Sequence, residues 1–147
     1  MPAELALQFD HCGIVVSDIE QGLWSLAKIL PIVGKTERFD DAGLGVSVQF
    51  LQDASGMVFE LIAPLGDKSP VKKIAATKVG VLNQIAYRVR SLEAGAHHFR
   101  AQQALPVGTA KPAIAFGGAL VQFFYLPAGL VVELIEAETF SHHFNVL

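Results

Sequence analysis

The sequence holds a single cysteine, Cys12, which rules out an internal disulfide and fits a reducing compartment. It has no lysine- or arginine-rich run, Lys72-Lys73 being the longest cationic pair. With a formal net charge of −3, it lacks the electrostatic footprint of a nucleic-acid binder. Long hydrophobic runs are missing too: Leu130-Val131-Val132 stops at Glu133, far short of a bilayer span. Residues 1–8 have neither the charged start nor the apolar centre of a signal peptide. The expectation is a cytoplasmic protein with a small-molecule substrate, no nucleic-acid partner and no membrane contact. Charge is also sparse, at 17% against 52% hydrophobic residues, so 147 residues can bury a large core. The apolar excess leaves room for a subunit contact, as in a homodimer.

What the chain does have is a repeat. An offset of 73 residues lays His11 on Gln84, Glu20 on Glu93, Gly22 on Gly95 and Glu60 on Glu133. Phe59-Glu60-Leu61-Ile62 falls on Val132-Glu133-Leu134-Ile135 at that offset. Four potential ligands (His11, Glu60, Gln84 and Glu133) thus stand at equivalent places in two copies of one unit. Packing alone does not require polar strand residues to coincide under a repeat. Taken singly, each has a plainer reading: a core histidine, edge-strand glutamates, a glutamine satisfying a buried hydrogen bond.

Each copy reads as βαβββ. Residues 9–16 are rich in β-branched and apolar side chains and predict a strand. Ser17-Asp18 offer cap acceptors for a helix over about 19–30, ended by Pro31. A weaker strand follows at 35–39, then strands at 46–52 and 57–62 around the turn Asp53-Ala54-Ser55-Gly56. Residues 67–79 read as a linker, with one helical turn near 70–76. The second copy predicts a strand at 83–89, a helix from the Ser91 cap to about 104, a loop at 111–118, and strands at 119–125 and 130–135. The expected fold class is α+β: one domain over residues 1–147, made of two pseudo-symmetric modules (about 7–66 and 80–137). Together these would form a curved mixed sheet around a cleft, with the helices outside.

These stretches, Phe9-Asp10-His11-Cys12-Gly13-Ile14-Val15-Val16, Gly45-Val46-Ser47-Val48, residues 59–70 and Leu130-Val131-Val132-Glu133-Leu134, resemble the vicinal oxygen chelate (glyoxalase/bleomycin resistance/dioxygenase) superfamily. Within it the chain looks most like methylmalonyl-CoA epimerase-like proteins, over nearly its whole length. The resemblance implies a metal site on His11, Glu60, Gln84 and Glu133. The chain departs from the epimerases at Gln84, where they usually carry histidine, and at Val48, where some carry a glutamate.

One imidazole, one amide and two carboxylates form a mostly hard donor set. It suits an open, six-coordinate divalent ion: Mn²⁺ or Co²⁺ first, with Ni²⁺, Zn²⁺ and Mg²⁺ also admitted. Such an ion polarises a carbonyl while Glu60 or Glu133 takes a neighbouring carbon-bound proton. The expected activity is a metal-dependent isomerase or epimerase acting α to a carbonyl, for instance of an acyl-CoA-like thioester. Two alternatives stand beside it: a glyoxalase I-type lyase on a thiol–aldehyde adduct, and a non-catalytic small-molecule binder of the same fold. Gln122 is expected at the repeat equivalent of Val48, which makes both weaker substrate-binding candidates. Trp24, equivalent to His97 under the repeat, reads as packing or a dimer contact, and His97-His98 read as a solvated or half-buried face of the second helix. His142 and His143 would become ligands only if the tail folded back, to which the sequence gives no pointer.

Overall fold

A computed structural model describes residues 1–77 and 80–147, and among these it forms nine strands and three α-helices. Lys78 and Val79, the last of the expected linker, lie outside the described residues. The chain divides into two compact units. The N-terminal unit comprises residues 11–83 with 141–147; the C-terminal unit comprises residues 84–140 with 1–10.

In the N-terminal unit, β1 (Gln8–Val15, which enters it at His11) leads into α1 (Ile19–Ala27). Then follow β2 (Ile32–Asp41), β3 (Val46–Asp53), β4 (Val58–Pro64) and the short α2 (Lys72–Ala75). β1 runs parallel to β4, which is antiparallel to β3, which is antiparallel to β2. The Asp18 side chain accepts from the Gln21 amide at 2.8 Å, closing the first turn of α1 as its N-cap. The helix stops three residues before the expected Leu30: the Ile29 amide turns to the Leu26 carbonyl in a tighter 3₁₀-type bond, and Pro31 disfavours helical backbone at Leu30. Ile19 and Leu23 pack on Ile32, Leu51, Leu61 and Ala63. One face of this sheet is therefore closed by the helix.

The C-terminal unit repeats the plan. β5 (Val81–Val89, which enters it at Gln84) leads to α3 (Leu92–Ala101), then β6 (Leu105–Ala113), β7 (Ala119–Tyr125) and β8 (Val131–Glu136). β5 is parallel to β8, β8 antiparallel to β7, and β7 antiparallel to β6. Ser91 caps α3 through the Ala94 amide at 3.2 Å. Leu92 and Ala96 pack on Val89, Phe124, Val132 and Leu134, joined by Leu5. Residues 111–118 are not a loop throughout: β6 carries the chain to Ala113, and a 3₁₀ turn (Ile114–Phe116) comes only after it. β6 is an edge strand carrying Pro106 and Pro112, which an edge tolerates because it need not donate on its outer side.

Two glycines show how literally the plan is repeated. A Cβ on Gly22 would lie 3.1 Å from Val16, and one on Gly95 would lie 3.2 Å from Val89 and 3.1 Å from Leu134. Both glycines and both valines are related by the same 73 residues. Each lets its helix lie close on the sheet.

Candidate metal centre

A strand alternates its side chains between two faces, so Leu61, committed to the α1 side, turns Glu60 to the other. Glu60 stands beside Gly13 on β1, and His11, two residues earlier, shares that face. The pair meets: His11 Nε2 lies 3.4 Å from Glu60 Oε1, with His11 fully buried and Glu60 only 6% exposed. Gly13 offers no side chain to separate them. Phe50, opposite Glu60 on β3, is fully buried and presents its ring edge-on to the His11 imidazole at 5.1 Å.

The same arithmetic holds in the C-terminal unit. Leu134 faces α3, so Glu133 faces away from it, beside Ala86, with Gln84 two residues before. Gln84 Nε2 donates to Glu133 Oε1 at 3.2 Å, and both residues are buried. The structure thus brings His11 to Glu60 within one unit and Gln84 to Glu133 within the other, in identical register.

These donors fit a divalent ion. Ligand atoms about 2.1 Å from one metal sit roughly 3 Å apart at adjacent positions, close to the separation of His11 and Glu60. A half-turn of the Gln84 amide exchanges its N–H for the carbonyl oxygen, the atom able to ligate. A buried carboxylate is costly to keep ionised without a compensating charge, which an ion supplies.

Other expectations need revision. Phe123, not Gln122, lies opposite Glu133, so the repeat holds through β3 and β7: Gln122 matches Gln49, and Val121 matches Val48. Gln122 is paired with Leu134 and so shares the α3-side face, away from Glu133. Both glutamines serve the neighbouring strand instead, β2 for Gln49 and β6 for Gln122. Gln49 Nε2 donates to the Thr36 carbonyl at 2.7 Å, and Gln122 Nε2 to the Gly108 carbonyl at 3.2 Å. Each of these carbonyls lies where that strand's register shifts. Val48 is buried on the Glu60 face of β3. Trp24 and His97 are both exposed.

Two features escaped the sequence reading. Arg88, which follows Gln84 and Ala86 on the same face of β5, donates from Nε to Asp10 Oδ1 at 3.1 Å. Its other nitrogens donate to the Glu138 carbonyl and to Gln8 Oε1, tying residues 8–10 to the C-terminal unit. The second is the tail. β9 (Asn145–Val146) pairs antiparallel with β2, and His142 comes to rest on Phe50 with ring centroids 4.2 Å apart. The tail does fold back.

Comparison with known proteins accords with this architecture. Residues 10–123 match the model of the Glyoxalase/Bleomycin resistance protein/Dioxygenase superfamily. A comparison with curated protein sequences gives no match. Among solved structures, a methylmalonyl-CoA epimerase from Mycobacterium tuberculosis superposes with a TM-score of 0.74 at 24% identity, covering 92% of this chain and 91% of that one. A hypothetical protein from Bacillus halodurans gives 0.73 at 24% identity, over 93% and 99%. A Streptomyces coelicolor methylmalonyl-CoA epimerase variant in complex with 2-nitronate-propionyl-CoA gives 0.68 at 20%, over 87% and 95%. At these identities the likeness shows a shared fold. Among the described residues no helix is long and apolar enough to cross a membrane.

Proposed function

The chain belongs to the glyoxalase/bleomycin resistance/dioxygenase superfamily, and on that premise we propose that it is a metal-dependent isomerase or epimerase. In this reading His11, Glu60, Gln84 and Glu133 hold one divalent ion, Mn²⁺ or Co²⁺ by preference. One observation carries it: two buried donor pairs stand in the same register, His11 with Glu60 at 3.4 Å and Gln84 with Glu133 at 3.2 Å. A glutamate merely filling a core would not need a polar partner at the same register position twice.

When bound, the ion supplies Lewis acidity, polarising a substrate carbonyl and stabilising the charge that develops as an adjacent C–H bond breaks. Glu60 and Glu133 act as the proton-transfer pair. One takes the α-proton as a carboxylate and the other, as the carboxylic acid, delivers its own, giving epimerisation if it lands on the same carbon and isomerisation if on its neighbour. His11 holds its place because Phe50 packs against its ring. Burial of both glutamates keeps bulk water from quenching the carbanion. The substrate class favoured is an acyl-CoA-like thioester, on the strength of the fold shared with methylmalonyl-CoA epimerases.

The test is hydrogen–deuterium exchange at C2 of methylmalonyl-CoA in D₂O, with Mn²⁺ or Co²⁺ added. Wild-type protein should catalyse exchange, and Glu60→Gln and Glu133→Gln should each reduce it by at least about 100-fold, as loss of a general base does. Exchange unaltered in both variants removes these residues from the reaction. Consumption of a glutathione–methylglyoxal adduct without thioester exchange would favour the lyase instead.

A further inference from the structure

The tail crosses the N-terminal unit at one chemically sensitive point. Its anchor is β9, where Asn145 pairs with Lys35 and Val146 with Gly34, and the Leu147 amide donates to the Val33 carbonyl at 3.0 Å. Gly34 is needed there: a Cβ on it would lie 3.2 Å from the Cβ of Phe144. Upstream of that anchor, the His142 ring lies over Phe50 at 4.2 Å, tilted by 35°, and 5.8 Å from Phe144. Its ring is also nearly perpendicular to that of His11, with centroids 6.4 Å apart. A nitrogen of each imidazole lies within 4.8 Å of the other.

We propose that His142 is a ligand delivered by the tail to the ion held by His11 and Glu60, so that the C-terminal strand closes the metal site. This rests on the metal-site reading above and adds to it a second imidazole. The geometry is close to what coordination asks. Two nitrogens each about 2.1 Å from one ion stand roughly 3 Å apart when adjacent and about 4 Å when opposite. A nitrogen separation of 4.8 Å or less from His11 puts His142 within that range or just beyond it.

The donor chemistry also changes in a useful direction. With an amide at Gln84 the ligand set is poor in nitrogen, and His142 adds a second imidazole. Two histidines with carboxylates favour Co²⁺, Ni²⁺ or Zn²⁺ over Mg²⁺. The bland alternative is that His142 is simply an aromatic lid on Phe50, a role phenylalanine fills equally well. That contrast defines the variant.

The experiment is a calorimetric titration of the full chain with Co²⁺ alone, together with the visible absorption of the bound Co²⁺. It is run on wild type, His142→Phe, His143→Ala and Glu60→Ala, with circular dichroism to verify folding. His142→Phe keeps the stacking ring and removes only the nitrogens. The expected result is Co²⁺ affinity at least about tenfold weaker in His142→Phe, with a shifted Co²⁺ spectrum. His143→Ala should match wild type, and Glu60→Ala should lose binding. If His142→Phe matches wild type in affinity and spectrum while Glu60→Ala loses binding, the tail ligand is overturned and the metal site stands. If wild type binds no Co²⁺, both are overturned.

Discussion

The two units of this molecule share a scaffold down to single caps and glycine contacts and differ in the side chains set beside their equivalent glutamates. Asp18 and Ser91 cap equivalent helices, and Gly22 and Gly95 seat those helices on equivalent valines. Glu60 and Glu133 occupy one register position. Beside them the units part. The N-terminal unit sets an imidazole against its glutamate and floors it with Phe50. The C-terminal unit sets an amide against its glutamate and places an Arg88–Asp10 ion pair further along the strand, its carboxylate side chain only 4% exposed. Backbone geometry is held by many small constraints that a duplication copies together, whereas ligand identity hangs on one side chain and diverges freely. In the proposed metal site the N-terminal unit is thus the stronger anchor.

That asymmetry breaks or holds most sharply at the two non-glutamate ligands. Imidazole binds borderline divalent ions much more tightly than a neutral amide oxygen does. His11→Ala should therefore weaken Co²⁺ binding by about 100-fold or more, and Gln84→Ala by about tenfold, a difference of roughly 1.4 kcal/mol. Gln84→His should tighten it. Calorimetry on the three variants decides. Equal losses in the two alanine variants would mean the units contribute alike.

The glycines test the shared scaffold. In a helix interior, alanine is favoured over glycine by about 1 kcal/mol, while overpacking costs roughly 1–3 kcal/mol. At Gly22 the new methyl meets only the half-buried Val16. At Gly95 it meets two fully buried side chains, Val89 and Leu134. Gly22→Ala should stay within about 1 kcal/mol of wild type, and Gly95→Ala should destabilise by about 2 kcal/mol in urea unfolding. Similar values would show that the C-terminal unit yields as readily as its twin.

How much of this the sequence carries depends on whether a feature is local. The helix caps, the hairpin turns and the strands around Glu60 and Glu133 are written in adjacent residues. The four donors are found because a fixed offset aligns them. β6 was only half legible: its end at residues 111–113 read as part of a loop, and its exposed residues lack the alternation of a half-buried strand. The Gln122 position failed by one residue: the 73-residue offset runs unbroken through β3 and β7 and sets Gln122 on Gln49, not on Val48. His142 left no trace at all. Its partners, Phe50 and His11, lie far away in the chain, and nothing near residue 142 signals that contact.

The smallest expected effect concerns Gln49 and Gln122, which perform the same task at different depths. Each donates its amide N–H to a carbonyl at the register shift of the neighbouring strand. Replacing glutamine by leucine removes the donor and leaves that carbonyl without this bond. Gln49 makes a buried bond of 2.7 Å, so Gln49→Leu should destabilise by about 1 kcal/mol, with water poorly placed to compensate. The Gln122 bond is longer, at 3.2 Å, and half-buried, and β6 is largely exposed, so water can solvate the Gly108 carbonyl. Gln122→Leu should cost about half as much. Urea unfolding resolves the two. A larger loss at Gln122 would mean that β6 leans on its glutamine more heavily than β2 does, reversing the order of rigidity between the units.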